Sequence, residues 1–440
     1  MEHKLMCGAG KADITPPIGT ILYGYAPGRP AESVGDNLEA VAIKLVSGEN
    51  SALLITCTIC SMNPELGARL RASAGSAAGV SSENVTVTCT HTHSGPNTSI
   101  KSGWGDVDND YIENILIPGV TAAAAEAAEV RPAWMGVAET ESDIGINRRA
   151  LTEDGKITLG QNPWGPRDKR MTVVSFRDAD NKCIANMVHY CCHCTASAMN
   201  KEITRDWAGV MTDMLEEETG GITGFYAGNE GDQGPNLPNG KTTGNYKMAL
   251  QLGARAGIDA VRAYKSIKDW QDAPIKVLHG TIEVPYDPLP SREKAEEELK
   301  KLGAIEEIYA QRRFSDVNDH IHWTNVIAEH DSGKPPKTSW KFEQNITVIG
   351  PCAFIPCPFE AFVEIGLRLR RHSPYGYTMQ LCNTHGSYAY LPTLGDMERG
   401  GYEVWHFLLA MRTTYNLPRR TDDFWVKQNL EIMREGCNRR

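Results

Sequence analysis

Asn84-Val-Thr-Val-Thr-Cys89-Thr-His91-Thr-His93-Ser-Gly-Pro96 is the stretch that decides the fold. Its first half is short and rich in β-branched residues, which predicts a strand, and Gly-Pro ends that strand in a loop. Residues at positions i and i+2 of a strand share a face, so His91 and His93 can point into one cavity where the strand meets the loop. Neutral imidazole is a common zinc ligand, and this spacing is ordinary for a metal site. In the alternative interpretation, one or both histidines only form hydrogen bonds within the loop.

Strand and helix patterns alternate on both sides of this stretch. Short apolar or β-branched runs predict further strands at residues 41–46, 52–57, 171–176, 183–190, 221–228, 345–350 and 353–356. Longer patterns predict helices at residues 64–78, 110–130, 207–218, 246–267 and 362–371. The alternation favours an α/β fold, with layered mixed β-sheets flanked by helices, over a sandwich or a helical bundle.

The segment 285–341 differs in composition from the rest of the chain. Residues 291–313 form a charge-rich helical stretch with little apolar face, and Asp331-Ser-Gly-Lys-Pro-Pro-Lys337 is typical of a loop. We predict that this segment is a surface excursion or lid. It belongs, in this interpretation, to a single domain that spans residues 1–440.

The charge balance of the chain restricts its partners. The sequence has 45 Lys and Arg against 55 Asp and Glu, a net charge of −10, which argues against a nucleic-acid partner. No apolar run approaches the roughly 18 residues of a membrane span, and the polar N-terminus is not typical of a secretory signal. We therefore expect a cytoplasmic protein that acts on a small molecule, without a nucleic-acid or membrane partner. A homo-oligomer is left open.

The 12 cysteines do not predict a disulfide framework. Three of them, Cys191, Cys192 and Cys194, crowd one short stretch, and a chain without an export signal is expected to keep its thiols reduced. Cys57 and Cys60 have the CxxC spacing, but no second such pair accompanies them. The apolar run before Cys57 favours a buried strand over a metal or redox role.

Two further polar side chains follow predicted strands. In Val188-His189-Tyr-Cys-Cys-His193 the histidines are four residues apart, so they do not share a face on a strand. His193 is nearer the turn and is the better candidate ligand, whereas His189 is typical of a hydrogen-bonded core histidine. Glu360 lies between an apolar strand and a helix, where a buried carboxylate needs a cation or hydrogen bonds. Alone, it would be interpreted as an acid at a helix start.

Polar and glycine-bearing loops after strands are the usual place for substrate contacts. We predict such contacts from Asn147, Asp232, Gly234 and His385. Near His385, the loop that contains Tyr388 and Tyr390 precedes Gly400-Gly-Tyr-Glu403. Aromatic residues in such a loop are usually packing residues.

Together these pieces resemble the neutral, non-lysosomal ceramidase superfamily. The resemblance starts with Gly8-Ala-Gly-Lys-Ala-Asp-Ile-Thr-Pro-Pro-Ile-Gly19 and continues through Thr90–Pro96. The Asn-Arg loop, the strand-end histidine, the Gly-Asp-x-x-Pro-Asn loop, the Pro-x-Glu turn and the Tyr-x-Pro-Thr segment follow in family order. The resemblance covers about residues 7–270 and 345–410, and it implies the fold of the family's catalytic domain.

The resemblance also implies a zinc-dependent amide hydrolase. Carried over by motif, the zinc ligands are His91, His193, Glu360 and Tyr390, with Tyr388 close enough to compete with Tyr390. His93 and Arg148 correspond to the histidine and arginine that contact the substrate or its developing oxyanion. Zinc would activate water near neutral pH, and these two side chains would assist at the carbonyl and the leaving nitrogen.

Three departures from the family argue against ceramide as the substrate. Gly234 stands where ceramide-cleaving members have a serine, and a serine there is expected to narrow the pocket beside the metal. The C-terminal immunoglobulin-like domain of the long ceramidases and an export signal are not found in this sequence. We therefore expect a smaller soluble amide as the substrate. A zinc-binding relative that acts on an ester, a lactone or a carbohydrate-derived substrate, or that is not hydrolytic, is the alternative.

A barrel-type amidohydrolase is a further rival, since it also opens its site with two histidines at this spacing. In that class the pair usually lies on the first strand. Here two or more predicted strands precede His91, which favours the first interpretation.

Overall fold

The computed structural model describes residues 5–25, 28–99, 105–310, 314–409 and 414–438. The strands are β1 Leu5–Asp13, β2 Ser33–Val34, β3 Glu39–Ser47, β4 Asn50–Cys57, β5 Val85–Cys89, β6 Arg131–Pro132, β7 Trp134–Glu141, β8 Gly145–Leu151, β9 Ile157–Asn162, β10 Arg170–Arg177, β11 Cys183–Tyr190, β12 Glu202–Ile203, β13 Ile222–Ala227, β14 Gln233–Pro235, β15 Trp270–Gln271, β16 Ile275–Pro285, β17 Ser339–Ile349, β18 Cys352–Pro356, β19 Glu360–Ala361, β20 Tyr377–Leu381 and β21 Tyr390–Leu391. The α-helices are α1 Pro64–Ala78, α2 Asn109–Tyr111, α3 Ile117–Glu126, α4 Asp206–Thr219, α5 Tyr246–Lys265, α6 Arg292–Leu302, α7 Ile305–Ala310, α8 Phe314–Asp331, α9 Val363–His372, α10 Leu394–Arg399, α11 Tyr402–Leu409 and α12 Thr421–Asn438.

Two five-stranded mixed sheets form the centre of the molecule. The first has the order β5-β4-β3-β1-β6 and the second β13-β11-β10-β7-β15. A buried apolar cluster lies between them, with Ile43 and Leu54 from the first sheet and Val174 and Met187 from the second. Helices α1 and α3 cover the outer face of the first sheet, and α4 and α5 cover that of the second. The predicted α/β fold of layered mixed sheets flanked by helices is confirmed.

Helix α1 shows how local sequence positions the first sheet's edge. The Asn63 side chain accepts a hydrogen bond from the Leu66 amide at 2.8 Å, Pro64 occupies the first turn, and Gly79 ends the helix at φ 65°. These caps agree with the predicted bounds, residues 64–78. The helix carries the chain from β4 back to β5, so that the two strands run parallel and β5 ends among the other strand ends.

The helix predicted at residues 110–130 is divided into three pieces. A π-helical turn, Ile112–Leu116, separates α2 from α3, and α3 ends at Glu126. Pro118 lies in the first turn of α3, where its missing amide hydrogen breaks the regular helical ladder.

The third large sheet has the order β16-β17-β18-β20 and packs on α9 and α12. β16 and β17 pair along their whole length, from Ile275 with Ile349 to Pro285 with Ser339. Helices α6, α7 and α8 connect the far ends of these two strands, at the place predicted for a surface excursion. The helix α8 within it was not predicted, because its sequence mixes polar and apolar residues without a clear period. Within the described part of the chain, no helix combines the length and the apolar character that a membrane crossing requires.

Candidate metal centre

His91, His193 and Glu360 meet at the ends of three separate strands. His91 follows β5, His193 follows β11, and Glu360 opens β19. Their ligand atoms lie within 4.8 Å of one another, and all three side chains are buried. His91 has φ 63°, which is uncommon for a residue with a side chain and turns the imidazole toward the other two.

The two imidazoles are oriented by main-chain carbonyls. His91 Nδ1 lies 2.7 Å from the Cys60 carbonyl oxygen, and His193 Nδ1 lies 2.7 Å from that of Glu230. A carbonyl only accepts, so each Nδ1 carries the proton and donates it. Each Nε2 therefore presents a lone pair toward the centre of the cluster. This is the arrangement that orients metal-binding histidines.

Three acceptor atoms converge in this cluster. His193 Nε2 lies 3.1 Å and His91 Nε2 3.4 Å from Glu360 Oε2. Lone pairs at these distances repel one another in a buried site unless a cation lies between them. Two imidazoles and one carboxylate are the donor types that zinc prefers. The residues present therefore fit zinc.

The protonation of the cluster leads to the same conclusion. Burial lowers the pKa of His193 to about 3. Burial also opposes protonation of His91, but the interactions with Cys60 and Glu360 outweigh it and raise the pKa of that imidazole well above its ordinary value. The neighbours of His91 thus favour a positive charge at this place, which a metal ion would supply.

Tyr390 borders the cluster, whereas Tyr388 does not. The Tyr390 ring stacks against His193 with the centroids 6.5 Å apart. Tyr388 instead packs against Trp340 and Phe359, at 5.6 and 5.8 Å between ring centroids. The geometry thus favours Tyr390 over Tyr388 as the fourth candidate ligand.

His93 lies beside His91, although not for the predicted reason. β5 ends at Cys89, so neither histidine is on a strand, and the shared-face argument is wrong. The loop nevertheless brings His93 Nε2 to 3.2 Å from His91 Nε2. The centroids of the Tyr25 and His93 rings are 4.7 Å apart. A Cβ added at Gly24 would lie 2.4 Å from Cγ of the His93 ring, so only glycine leaves room for the imidazole.

Arg148 is buried next to Tyr390. Its guanidinium lies over the Tyr390 ring, 5.4 Å from the centroid, and its Nε donates to Glu403 Oε1 at 3.1 Å. Burial disfavours the charge, but the interactions with Tyr390 and Glu403 outweigh it and raise the pKa of Arg148. Its Nη2 is buried and has no hydrogen-bond partner among the described residues. This donor is free to bind a group that enters the site.

Asn147 and Asp232 are brought together, next to Arg148 but away from the metal cluster. Asn147 Nδ2 donates to Asp232 Oδ2 at 3.0 Å, and Asp232 Oδ1 accepts from the Val363 amide at 2.8 Å. Burial raises the pKa of Asp232 to about 7. Both side chains, together with Arg149, line a cavity of about 750 Å³. Substrate contacts from these two residues stay a prediction.

Gly234 does not have the surroundings that we expected. It pairs with Ile146 in the sheet, and a Cβ added to it would lie 2.7 Å from Thr242 Cβ. All three atoms nearest to that added Cβ belong to Thr242. A serine here would therefore first meet Thr242, and its effect on a pocket beside the metal stays a prediction.

Two other histidines are held in the core, outside the cluster. His385 Nε2 lies 2.9 Å from Asn345 Oδ1, and burial lowers the pKa of His385. The hydrogen-bond partner of this side chain lies on β17, and His385 does not belong to the metal cluster, so a substrate contact from it stays a prediction. His189 Nε2 donates to the Gln380 carbonyl at 3.0 Å, as expected for a core histidine.

Three residues beside the candidate ligands were not predicted. Cys60 Sγ lies 3.8 Å from His91 Nδ1, although the CxxC pair was interpreted as part of a buried strand. Asn383 Nδ2 lies 3.3 Å from the same nitrogen and donates to Glu230 Oε1 at 2.6 Å. Burial raises the pKa of Glu230 to about 8. In the sequence, Glu230 and Asn383 belong to polar loops, and no motif predicts that they lie beside the candidate ligands.

Comparisons with known proteins assign this geometry to a family. The model of the neutral/alkaline non-lysosomal ceramidase N-terminal region matches residues 5–249, more than half of the chain. The chain belongs to this ceramidase family. It is 26% identical over 259 residues to Neutral ceramidase A of Dictyostelium discoideum. That match takes in 53% of this chain and 36% of the relative, so the chain matches only about a third of the relative's length.

Solved ceramidase structures share the fold. The neutral ceramidase of Pseudomonas aeruginosa matches with a TM-score of 0.75 and 18% identity, over 99% of this chain and 75% of that one. A structure of a ceramidase complexed with C2 matches with a TM-score of 0.76 and 17% identity, over 100% of this chain and 76% of that one. The predicted resemblance in fold to the ceramidase catalytic domain is confirmed.

Proposed function

We propose that this member of the ceramidase family is a zinc-dependent hydrolase that cleaves the amide bond of a small soluble substrate. The observation that carries the proposal is the convergence of three acceptor atoms, from His91, His193 and Glu360, beside a buried arginine with a free donor. A cluster that needs a cation and an adjacent group that stabilises negative charge are together what metal-assisted acyl transfer requires.

His91, His193, Glu360 and Tyr390 would hold the zinc. When bound there, zinc supplies a Lewis acid that polarises a carbonyl and makes water nucleophilic near neutral pH. Arg148 donates its free Nη2 to the carbonyl oxygen as that oxygen gains charge. His93 is held next to the cluster by Tyr25, in position to pass a proton to the leaving nitrogen.

A soluble rather than a lipid substrate is supported by one departure from the family, since Gly234 stands in the loop where ceramide-cleaving relatives carry a serine. The cavity of about 750 Å³ has both polar and apolar lining residues, with Leu151, Ile157 and Trp164 among the latter, so its lining adds nothing to this support.

The test is amine release by the zinc-loaded protein from a panel of N-acetylated amino sugars, N-acyl amino acids and long-chain ceramide in detergent. We expect release from a soluble member, loss of release with a chelator and recovery with added zinc. Arg148→Ala and His93→Ala should each lower kcat by about 10²-fold while the metal is retained. Arg177→Ala is the matched control. In the wild type the Arg177 guanidinium lies over the ring of Trp270, so its removal should leave full activity.

Several outcomes would contradict the proposal. Fully zinc-loaded protein that releases no amine from any amide would contradict amide hydrolysis, and an acid released only from esters would favour an esterase. Release from long-chain ceramide alone would contradict the soluble substrate.

A further inference from the structure

Arg148 and Arg149 are adjacent, buried cations on β8. Arg148 is 7% and Arg149 4% exposed, so neither charge is well solvated by water. Two neighbouring guanidinium groups repel each other, and burial increases the cost. The chain must therefore supply a carboxylate at this place.

Glu403 is that carboxylate, and it binds both arginines. Its Oε1 accepts from Arg148 Nε at 3.1 Å, and its Oε2 accepts from Arg149 Nη1 at 2.7 Å. The Glu403 side chain is 1% exposed. Charge-assisted hydrogen bonds from a buried carboxylate hold a planar guanidinium in one orientation.

The turn before α11 brings Glu403 to this position. Gly400 and Gly401 have φ 67° and 97°, and the Gly400 carbonyl accepts from Arg149 Nη2 at 2.7 Å. A Cβ at Gly401 would lie 3.1 Å from Arg149 Nη1 and 2.9 Å from Ile157 Cγ2. Only glycine lets the helix begin directly on Arg149.

Arg149 has other partners, which separates its role from that of Arg148. Besides Glu403 and Gly400, its Nε lies 3.5 Å from Asp396, and its guanidinium lies 5.1 Å from the centre of the Phe362 ring. Arg148 is fixed by Glu403 along its Nε edge and leaves the buried Nη2 without a partner among the described residues. The carboxylate thus holds one edge of Arg148 and leaves another edge for substrate.

We propose that Glu403 is a positioning residue, which holds the Arg148 guanidinium in the orientation that stabilises charge on the substrate. Arg149 in turn fixes Glu403. This inference rests on the proposed function, since it assigns Arg148 to the reacting carbonyl.

The test combines kinetics with a double-mutant cycle. Glu403→Gln keeps one acceptor oxygen and loses the charge, and it should lower kcat by about tenfold, with KM and zinc content changed by less than about twofold. In the Arg148→Ala background, Glu403→Gln should cause almost no additional loss, because the group through which it acts is absent. Glu403→Asp should restore part of the activity. Asp422→Asn is the matched control, since it removes the charge of a buried carboxylate that binds Arg368 instead, and it should keep activity within about twofold.

An equal loss of kcat from Glu403→Gln in both backgrounds would overturn the inference. So would a loss of kcat that follows unfolding or the loss of zinc.

Crystal structures of the zinc-loaded wild-type protein and Glu403→Gln test the inference without activity. The Arg148 guanidinium should leave its place over the Tyr390 ring in the variant, and an unchanged guanidinium would overturn the positioning role. A wild-type protein without amidase activity would contradict only the proposed function. If Glu403→Gln does not fold, the same comparison is made with Glu403→Asp.

Discussion

Glu360 and Tyr390 are direct partners in a two-residue parallel pairing of β19 with β21. The Glu360 amide donates to the Ala389 carbonyl at 3.0 Å, and the Phe362 amide donates to the Leu391 carbonyl at 3.0 Å. Residues that are paired in register present their side chains on the same face of the sheet. The pairing therefore brings the phenol of Tyr390 next to the carboxylate of Glu360. Tyr388, which belongs to the same loop, is not part of this pairing.

We predict that Tyr390→Phe weakens zinc binding by at least about tenfold, because it removes the oxygen at the position paired with Glu360. Tyr388→Phe is the matched control, since that ring packs against Trp340, and it should bind zinc as the wild type does. Competition with a chromophoric chelator measures both affinities. Equal weakening in the two variants would contradict the assignment of Tyr390.

We predict about one equivalent of zinc per chain, and its loss in His91→Ala, because His91 contributes one of three converging donors. His279→Ala removes an exposed histidine of β16 that contacts Asn84, in the turn before β5, and should keep the full zinc content. Elemental analysis of the purified proteins measures the difference. A His91→Ala protein with its full metal content would show that the ligands lie elsewhere.

Gly234→Ser should destabilise the fold by about 1–3 kcal/mol, because the added Cβ meets Thr242 in a closely packed region. Ceramidase activity should not appear in this variant. Denaturant unfolding measures the free energy of unfolding. In the Thr242→Gly background the same serine should lower the free energy of unfolding much less. An equal loss in that background would show that the serine collides with a residue other than Thr242.

Acid should weaken the metal-free protein through His189. Burial lowers the pKa of His189 from 6.5 to about 4, so the unfolded chain binds a proton between these pH values that the folded protein does not. The stability that neutral His189 contributes is therefore fully present above pH 6.5, and this contribution falls by roughly 3 kcal/mol as the pH drops to about 4.

His189→Gln keeps a donor toward the Gln380 carbonyl and cannot take up a proton. Its unfolding free energy should fall less steeply between pH 6.5 and 4 than that of the wild type, whereas His279→Gln should follow the wild type. Identical pH dependence of the wild type and His189→Gln would contradict the buried neutral state.

The sequence predicts those parts of the fold that local physics determines. Helix α1 agrees with the prediction at both ends, because Asn63, Pro64 and Gly79 cap it chemically. The strands around residues 85–89 and 183–190 are equally clear from their apolar runs. The π-helical turn before α3 and the helix α8 were missed, since neither has a strong periodic pattern.

The motifs indicate which residues are candidates for the site, but they do not show which of these side chains lie together in space. His91, His193 and Glu360 are far apart in the sequence. Only the resemblance to the ceramidase family, with its motifs in the same order, predicts that they form one site. His385 is predicted to contact substrate, whereas in the structure its Nε2 lies 2.9 Å from Asn345 Oδ1, a contact that no motif indicates. The sequence shows Glu403 shortly after two glycines. Its two arginine partners come from the other half of the chain, so no local motif predicts these ion pairs.

The distribution of the site along the chain has a consequence for its assembly. The family model ends at residue 249, and up to that point the chain has only two histidines of the cluster, His91 and His193. Glu360, Tyr390 and Glu403 follow the excursion of α6 to α8. During synthesis, the first half of the protein therefore emerges with an incomplete set of donors. If the cluster binds zinc as proposed, the full ligand set forms only with the last strands. The ion would then connect the early and late parts of the chain as a cross-link that stabilises the folded state by mass action.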